Sequence, residues 1–150
     1  GPGRGAGIER AAGRRAAVLG PSCEPARLHD SWELAKTALG GLEAGALPSE
    51  GLIRAEDHLA ALLLFEGSAL VGRIAAHRLA PLDSLTVKAR DRMRETALAY
   101  VRHQGNSVDM AAALHVHPQT ARYRVARLRE LLGDELDDPD ARFELEIALR

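Results

Sequence analysis

Residues 105–133, GNSVDMAAALHVHPQTARYRVARLRELLG, decide how the chain is read. They predict two short helices joined by a tight turn, the second of them basic. Gly105 and Asn106 punctuate the end of a preceding helix, and Ser107 is the expected N-cap of the next. Residues 108–114 favour helix, with Met110, Ala111 and Leu114 forming a narrow apolar stripe. The pattern breaks at His115-Val116-His117. Pro118 then stands where a helix would begin, its fixed φ suiting the first position and its missing N–H costing nothing there. Over about 118–132, Ala121, Val125, Leu128 and Leu132 recur at spacings of four, three and four, so at ~100° per residue they share one face, which is expected to be buried. Gln119, Tyr123, Ala126, Arg127 and Glu130 project to the opposite side, and Thr120, Arg122, Arg124 and Arg129 flank the stripe. A short helix, a tight turn and a longer basic helix meet the needs of a helix-turn-helix. In that motif the first helix crosses the phosphate backbone and the second enters the major groove N-terminus first.

Charge supports this reading. The net charge is −1, which argues against a protein that coats nucleic acid indiscriminately, but the distribution is uneven. Residues 1–87 hold nine basic and ten acidic side chains, residues 88–132 nine and four, and residues 133–150 two and seven. The basic block coincides with the predicted motif, as an electrostatic footprint for DNA should.

Here the chain resembles a known family. LHVHPQTARYRVARLRELLGDELDDPDARFELEIALR, preceded by MRETALAYVRHQGNSVDMAAA, is similar to the C-terminal helix-turn-helix domain of the PucR/CdaR bacterial transcriptional regulators. The likeness covers residues 92–150 and rests on LHVH, the T-x-R-Y-R core, L-x-x-LLG and LDDP-x-x-R-x-E-L at that family's spacing. The spacing is also similar to that of the nucleoid protein Fis. This implies contacts from the turn and the first two turns of the recognition helix, here His117, Gln119, Thr120, Arg122 and Arg124. The chain departs from the family at Pro118-Gln119, where Arg-Asn is usual, and at Ala121, usually Val or Leu.

Individual roles follow from chemistry. Gln119 can pair with adenine through two hydrogen bonds and Arg122 with guanine, each worth ~1 to 3 kcal/mol of discrimination. Thr120 suits a phosphate, as does Tyr123 unless it packs on a neighbouring helix. Arg124 and Arg127 are expected at phosphate or base, and His117 is placed to donate to a phosphate. Arg129, late in the helix beside Glu130, is expected to be merely solvated.

The remainder is read more coarsely. Residues 1–13 are expected to be a tag or a disordered end. Residues 15–20, RAAVLG, predict a strand. A helix is expected over 24–44, with Leu28, Trp32, Ala35 and Leu39 as its buried face and Gly40-Gly41 weakening its end. Leu52-Ile53-Arg54 is a second possible strand, and Asp57 a cap for the apolar segment 58–65. A helix over 69–79 is bounded by Pro81, and a longer one from near Thr86 carries Met93, Ala97, Tyr100, Val101 and Gln104 along one side. After the acidic DELDDP, Asp138 and Pro139 open a last helix. Its two apolar pairs, Phe143 with Ile147 and Leu145 with Leu149, predict that it is sandwiched. Residues 14–82 resemble the end of the degenerate GGDEF-like domain that commonly precedes this helix-turn-helix. The likeness implies that the chain is the C-terminal part of a longer regulator whose effector, if any, binds upstream.

Other chemistries find little support. His115 and His117 lack a third ligand at a usual spacing, so His115 is expected to shape the turn instead of holding metal. Gly40-Gly41-Leu42-Glu43 superficially resembles the diguanylate cyclase signature but lacks the paired acids that would hold metal and nucleotide. No phosphate-binding glycine motif or catalytic triad can be assembled, and the one cysteine, Cys23, stands beside Glu24 in a setting wrong for an activated thiol. A single cysteine also excludes a disulfide framework and suits a reducing cytoplasm.

The expectation is therefore a mainly α chain. A partial α/β, GGDEF-like region at 14–82 precedes a Fis-like helix-turn-helix bundle at 83–150, with no enzyme activity and no cofactor. Its partners would be double-stranded DNA and a second copy, with His117, Gln119, Thr120, Arg122, Tyr123, Arg124 and Arg127 at the DNA. The alternative is a helical dimerisation module that turns its basic face on an acidic protein.

Overall fold

The computed structural model describes residues 16–150. The expected tag or disordered end at 1–13, and the first residue of the expected strand at 15–20, lie outside the described residues. The chain packs as two units, one ending at Ser68 and the other running from Ala69 to Arg150.

In the first unit, β1 (Ala17–Leu19) and β2 (Leu52–Arg54) pair in parallel, Ala17 opposite Leu52 and Leu19 opposite Arg54. A parallel pair needs a crossover, and α1 (Leu28–Glu43) supplies it after a 3-10 turn at Pro25–Arg27. Gly20 follows β1 where only glycine fits, since a Cβ would lie 2.3 Å from the Ser31 carbonyl oxygen. The Ser31 hydroxyl donates to the Pro21 carbonyl at 2.8 Å and ties the strand's end to α1.

Helix α1 does not bury the face that its periodicity predicts. Leu28, Trp32 and Leu39 are 61%, 63% and 47% exposed. The packed side is instead Leu34, Ala38, Gly41 and Leu42, which meets Leu47, Ile53, Ala55 and Leu62. Its buried residues are small, Ala38 and Gly41. A Cβ on Gly41 would stand 3.4 Å from Leu62 and 3.6 Å from Leu47, ordinary contact distances, so this small residue lies directly against both leucines. The helix runs through the glycine pair to Glu43 and closes at Gly45, φ +76°. Nor does Asp57 cap a helix: it lies inside a 3-10 turn, Ala55–His58, and α2 (Leu59–Glu66) starts without a side-chain cap.

The second unit, whose first helix starts one residue earlier at Ser68, is helical: α3 (Ser68–Arg78), α4 (Val87–Arg102), α5 (Ser107–Ala113), α6 (Pro118–Leu132) and α7 (Pro139–Leu149), with 3-10 turns at Ala80–Leu82 and Gly133–Leu136. Its core gathers Leu82, Met93, Ala97, Tyr100, Met110, Leu128, Leu132, Leu136 and Leu145. Thr96, fully buried on α4, donates its hydroxyl to the Arg92 carbonyl at 2.7 Å, so the core holds no unsatisfied hydroxyl there. Arg78 ties α3 to the C-terminal segments, its Nε 2.8 Å from Glu144 and Nη1 3.3 Å from Glu135. The hydrogen bond to Glu144 is the largest of the influences that raise its pKa.

Asp138 caps α7 as expected, accepting from the Asp140 N–H at 3.1 Å with Pro139 in first place. The two apolar faces of α7 are not both covered. Leu145 is buried, whereas Phe143 is 65% exposed, because ~100° per residue turns them to different sides.

Candidate nucleic-acid interface

The geometry of the helix pair begins at its ends. Asn106, not Ser107, caps α5: its side-chain oxygen accepts from the N–H groups of Val108 at 3.0 Å and Asp109 at 3.5 Å, leaving Ser107 as the first helical residue. Both residue types make good caps. The deciding factor is upstream, where Gln104 and Gly105 already occupy left-handed conformations, φ 51° and 75°. Gly105 N–H bonds back to the Tyr100 carbonyl at 3.0 Å, so the chain re-enters helix at once and Asn106 falls in the capping place.

The same closure forms the turn of the motif. Val116 N–H reaches the Ala111 carbonyl at 3.0 Å around His115, which adopts φ 52°. That region is sparse for residues other than glycine, though histidine is enriched there, and it gives His115 the turn-shaping role expected of it. His117 is the N-cap of α6. Its Nδ1 accepts from the Gln119 N–H at 3.2 Å, which leaves Nε2 as the ring nitrogen that faces outward to donate. Pro118 occupies the first helical position as expected.

Helix α6 then divides by face. Ala121 and Leu128 are fully buried and Leu132 nearly so, with Val125 packed beside them. His117, Gln119, Thr120, Arg122, Tyr123 and Arg127 are exposed, and Arg124 is half-buried. Tyr123, at 74% exposure, is no core residue.

The four arginines of α6 separate into framework and free groups. Arg129 is not merely solvated: it donates to Asp137 at 3.1 and 3.3 Å and to the Tyr100 hydroxyl at 2.9 Å, with its guanidinium 5.8 Å from the centre of that ring. The hydrogen bond to Asp137, then the charge interaction with Tyr100, raises its pKa. Tyr100 itself is held between Arg129 and Gly105, where a Cβ would stand 3.0 Å from the ring. Arg127 pairs with Glu130 on the exposed face of its own helix. Arg122 and Arg124 have no ion pair among the described residues. The acidic C-terminal stretch is thus engaged in part by framework arginines, Glu135 and Glu144 with Arg78 and Asp137 with Arg129. The uncompensated positive charge lies in the first half of α6.

Two further cations border this face. Lys88 and Arg92 of α4 line an open groove with Arg124, and the groove continues past Arg92 and Arg124 to Thr120, Tyr123 and Arg127. The sequence signal was present, since residues four apart share a helix face.

No curated protein matches the chain. From within α4 to its last residue, however, the chain is similar to the PucR C-terminal helix-turn-helix domain, whose family model matches residues 93–150.

Proposed function

We propose that the chain is a sequence-specific DNA-binding transcriptional regulator that sets α6 into the major groove of duplex DNA. The carrying observation is the division of α6: one face is locked into the core, while Gln119, Thr120, Arg122 and Tyr123 stand exposed at its N-terminal half. Similarity to a regulatory helix-turn-helix domain supports the same reading and gives no ground for a catalytic one. In this proposal Gln119 and Arg122 read base edges, and His117, Thr120, Tyr123, Arg124 and Arg127 hold phosphates. His117 would donate through Nε2. The chain would act in the cytoplasm as a homodimer on an inverted repeat, its half-sites about 10 bp or a multiple apart. We read the β1–α1–β2 unit as the end of a degenerate GGDEF-like domain, supported by its parallel crossover, with any effector bound upstream.

Replacing Arg122 and Arg127 separately tests the assignment. Arg122→Ala is expected to change which bases are preferred. Arg127→Ala should weaken all sequences alike and lower the salt slope by ~1 unit. Equal losses on every sequence from both variants would contradict the division of roles. Competition between duplex DNA and an acidic polypeptide tests the class of partner: DNA should win, and displacement by the polypeptide would favour the protein-interaction module.

A further inference from the structure

We infer that the phosphate backbone of one DNA strand runs through the groove between α4 and α6, where Lys88 and Arg92 of α4 contact phosphates beside Arg124. The inference rests on the reading of α6 as a recognition helix, and it extends the interface to a helix outside the helix-turn-helix.

The geometry begins with widths. A helix with its side chains is ~10–12 Å across and the major groove ~12 Å wide, so an inserted helix has a wall of phosphates along each flank. On α6, Arg122 marks one flank, while Thr120, Arg124 and Arg127 mark the other at ~100° per residue. This second flank borders α4: Thr120, Tyr123, Arg124 and Arg127 share a depression with Leu85 and Arg92, which opens into the groove lined by Lys88, Asp91, Arg92, Glu95 and Arg124. A strand lying along that flank meets the first two turns of α4.

Charge favours phosphate there. Lys88 and Arg92 are exposed, and neither they nor Arg124 form an ion pair among the described residues, although Asp91 and Glu95 line the same groove. The two carboxylates oppose a polyanion and temper the attraction of the three cations. Their presence supplies a test of sign as well as of magnitude.

The experiment measures affinity of the 150-residue chain for a mixed-sequence duplex across a range of salt concentrations. At about 0.9 slope units per phosphate contact, the Lys88→Ala/Arg92→Ala double variant should lower the salt slope by ~2 while leaving base preference unchanged. Arg92→Lys should keep the slope, because the charge remains. Arg94→Ala, an exposed arginine turned ~200° from Arg92 on the same helix, should also keep it. Glu95→Gln should tighten binding. A double variant that retains the original slope, or Glu95→Gln that weakens binding, would overturn the inference while leaving the role of α6 intact. Failure of the unmodified chain to bind any duplex would overturn the reading of α6, and the inference with it.

Discussion

Helices α1 and α6 carry apolar residues at the same spacing and put them to opposite use. Leu28, Trp32, Ala35 and Leu39 of α1 and Ala121, Val125, Leu128 and Leu132 of α6 both run at four, three and four. The α6 stripe is the wall of a core, whereas Leu28, Trp32 and Leu39 face outward. The difference lies on the other faces of the two helices. Opposite its stripe, α6 has Gln119, Tyr123, Arg127 and Glu130, so only one side can be buried. About 100° round from its stripe, α1 offers a second face, Leu34, Ala38, Gly41 and Leu42, and this one packs on Leu47 and Leu62. Periodicity thus locates apolar faces, but where a helix has two it does not say which one packs.

Three substitutions can break or sharpen this contrast, each followed by urea unfolding with far-UV circular dichroism. The largest effect should come from Leu128→Ala, which empties a fully buried site and is expected to cost about 2 to 5 kcal/mol. Ala38→Leu forces extra volume into the face of α1 that does pack and should cost about 1 to 3 kcal/mol. Smallest is Trp32→Ala, where removal of the larger side chain should change stability by less than about 0.5 kcal/mol. If Trp32→Ala proved as damaging as Leu128→Ala, the two stripes would be equivalent and the contrast would fail.

The motif itself was legible because its signals are local. Pro118 at the start of α6, the break at His115 and the buried stripe all depend on residues within a few positions of one another. What sequence did not disclose depends on partners far along the chain. Arg129 reads as solvated beside Glu130, yet its partner Tyr100 lies 29 residues away. The clue is Tyr100, set on one side of its helix with Met93 and Ala97, since a buried tyrosine usually needs a partner for its hydroxyl. The cap of α5 falls one residue before the expected Ser107, since Asn106 and Ser107 are both competent and only the backbone at Gln104 and Gly105 chooses between them. Gly41 reads as a helix breaker when its surroundings are unknown and becomes a packing surface once Leu62 lies against it.

The central claim is that the exposed N-terminal half of α6 reads DNA sequence. Selection of the chain's binding sites from a random duplex pool, sequenced at near-physiological salt, tests it most directly. An enriched palindromic motif, lost on Arg122→Ala, is the predicted result. Recovery of duplexes with no sequence enriched would contradict it.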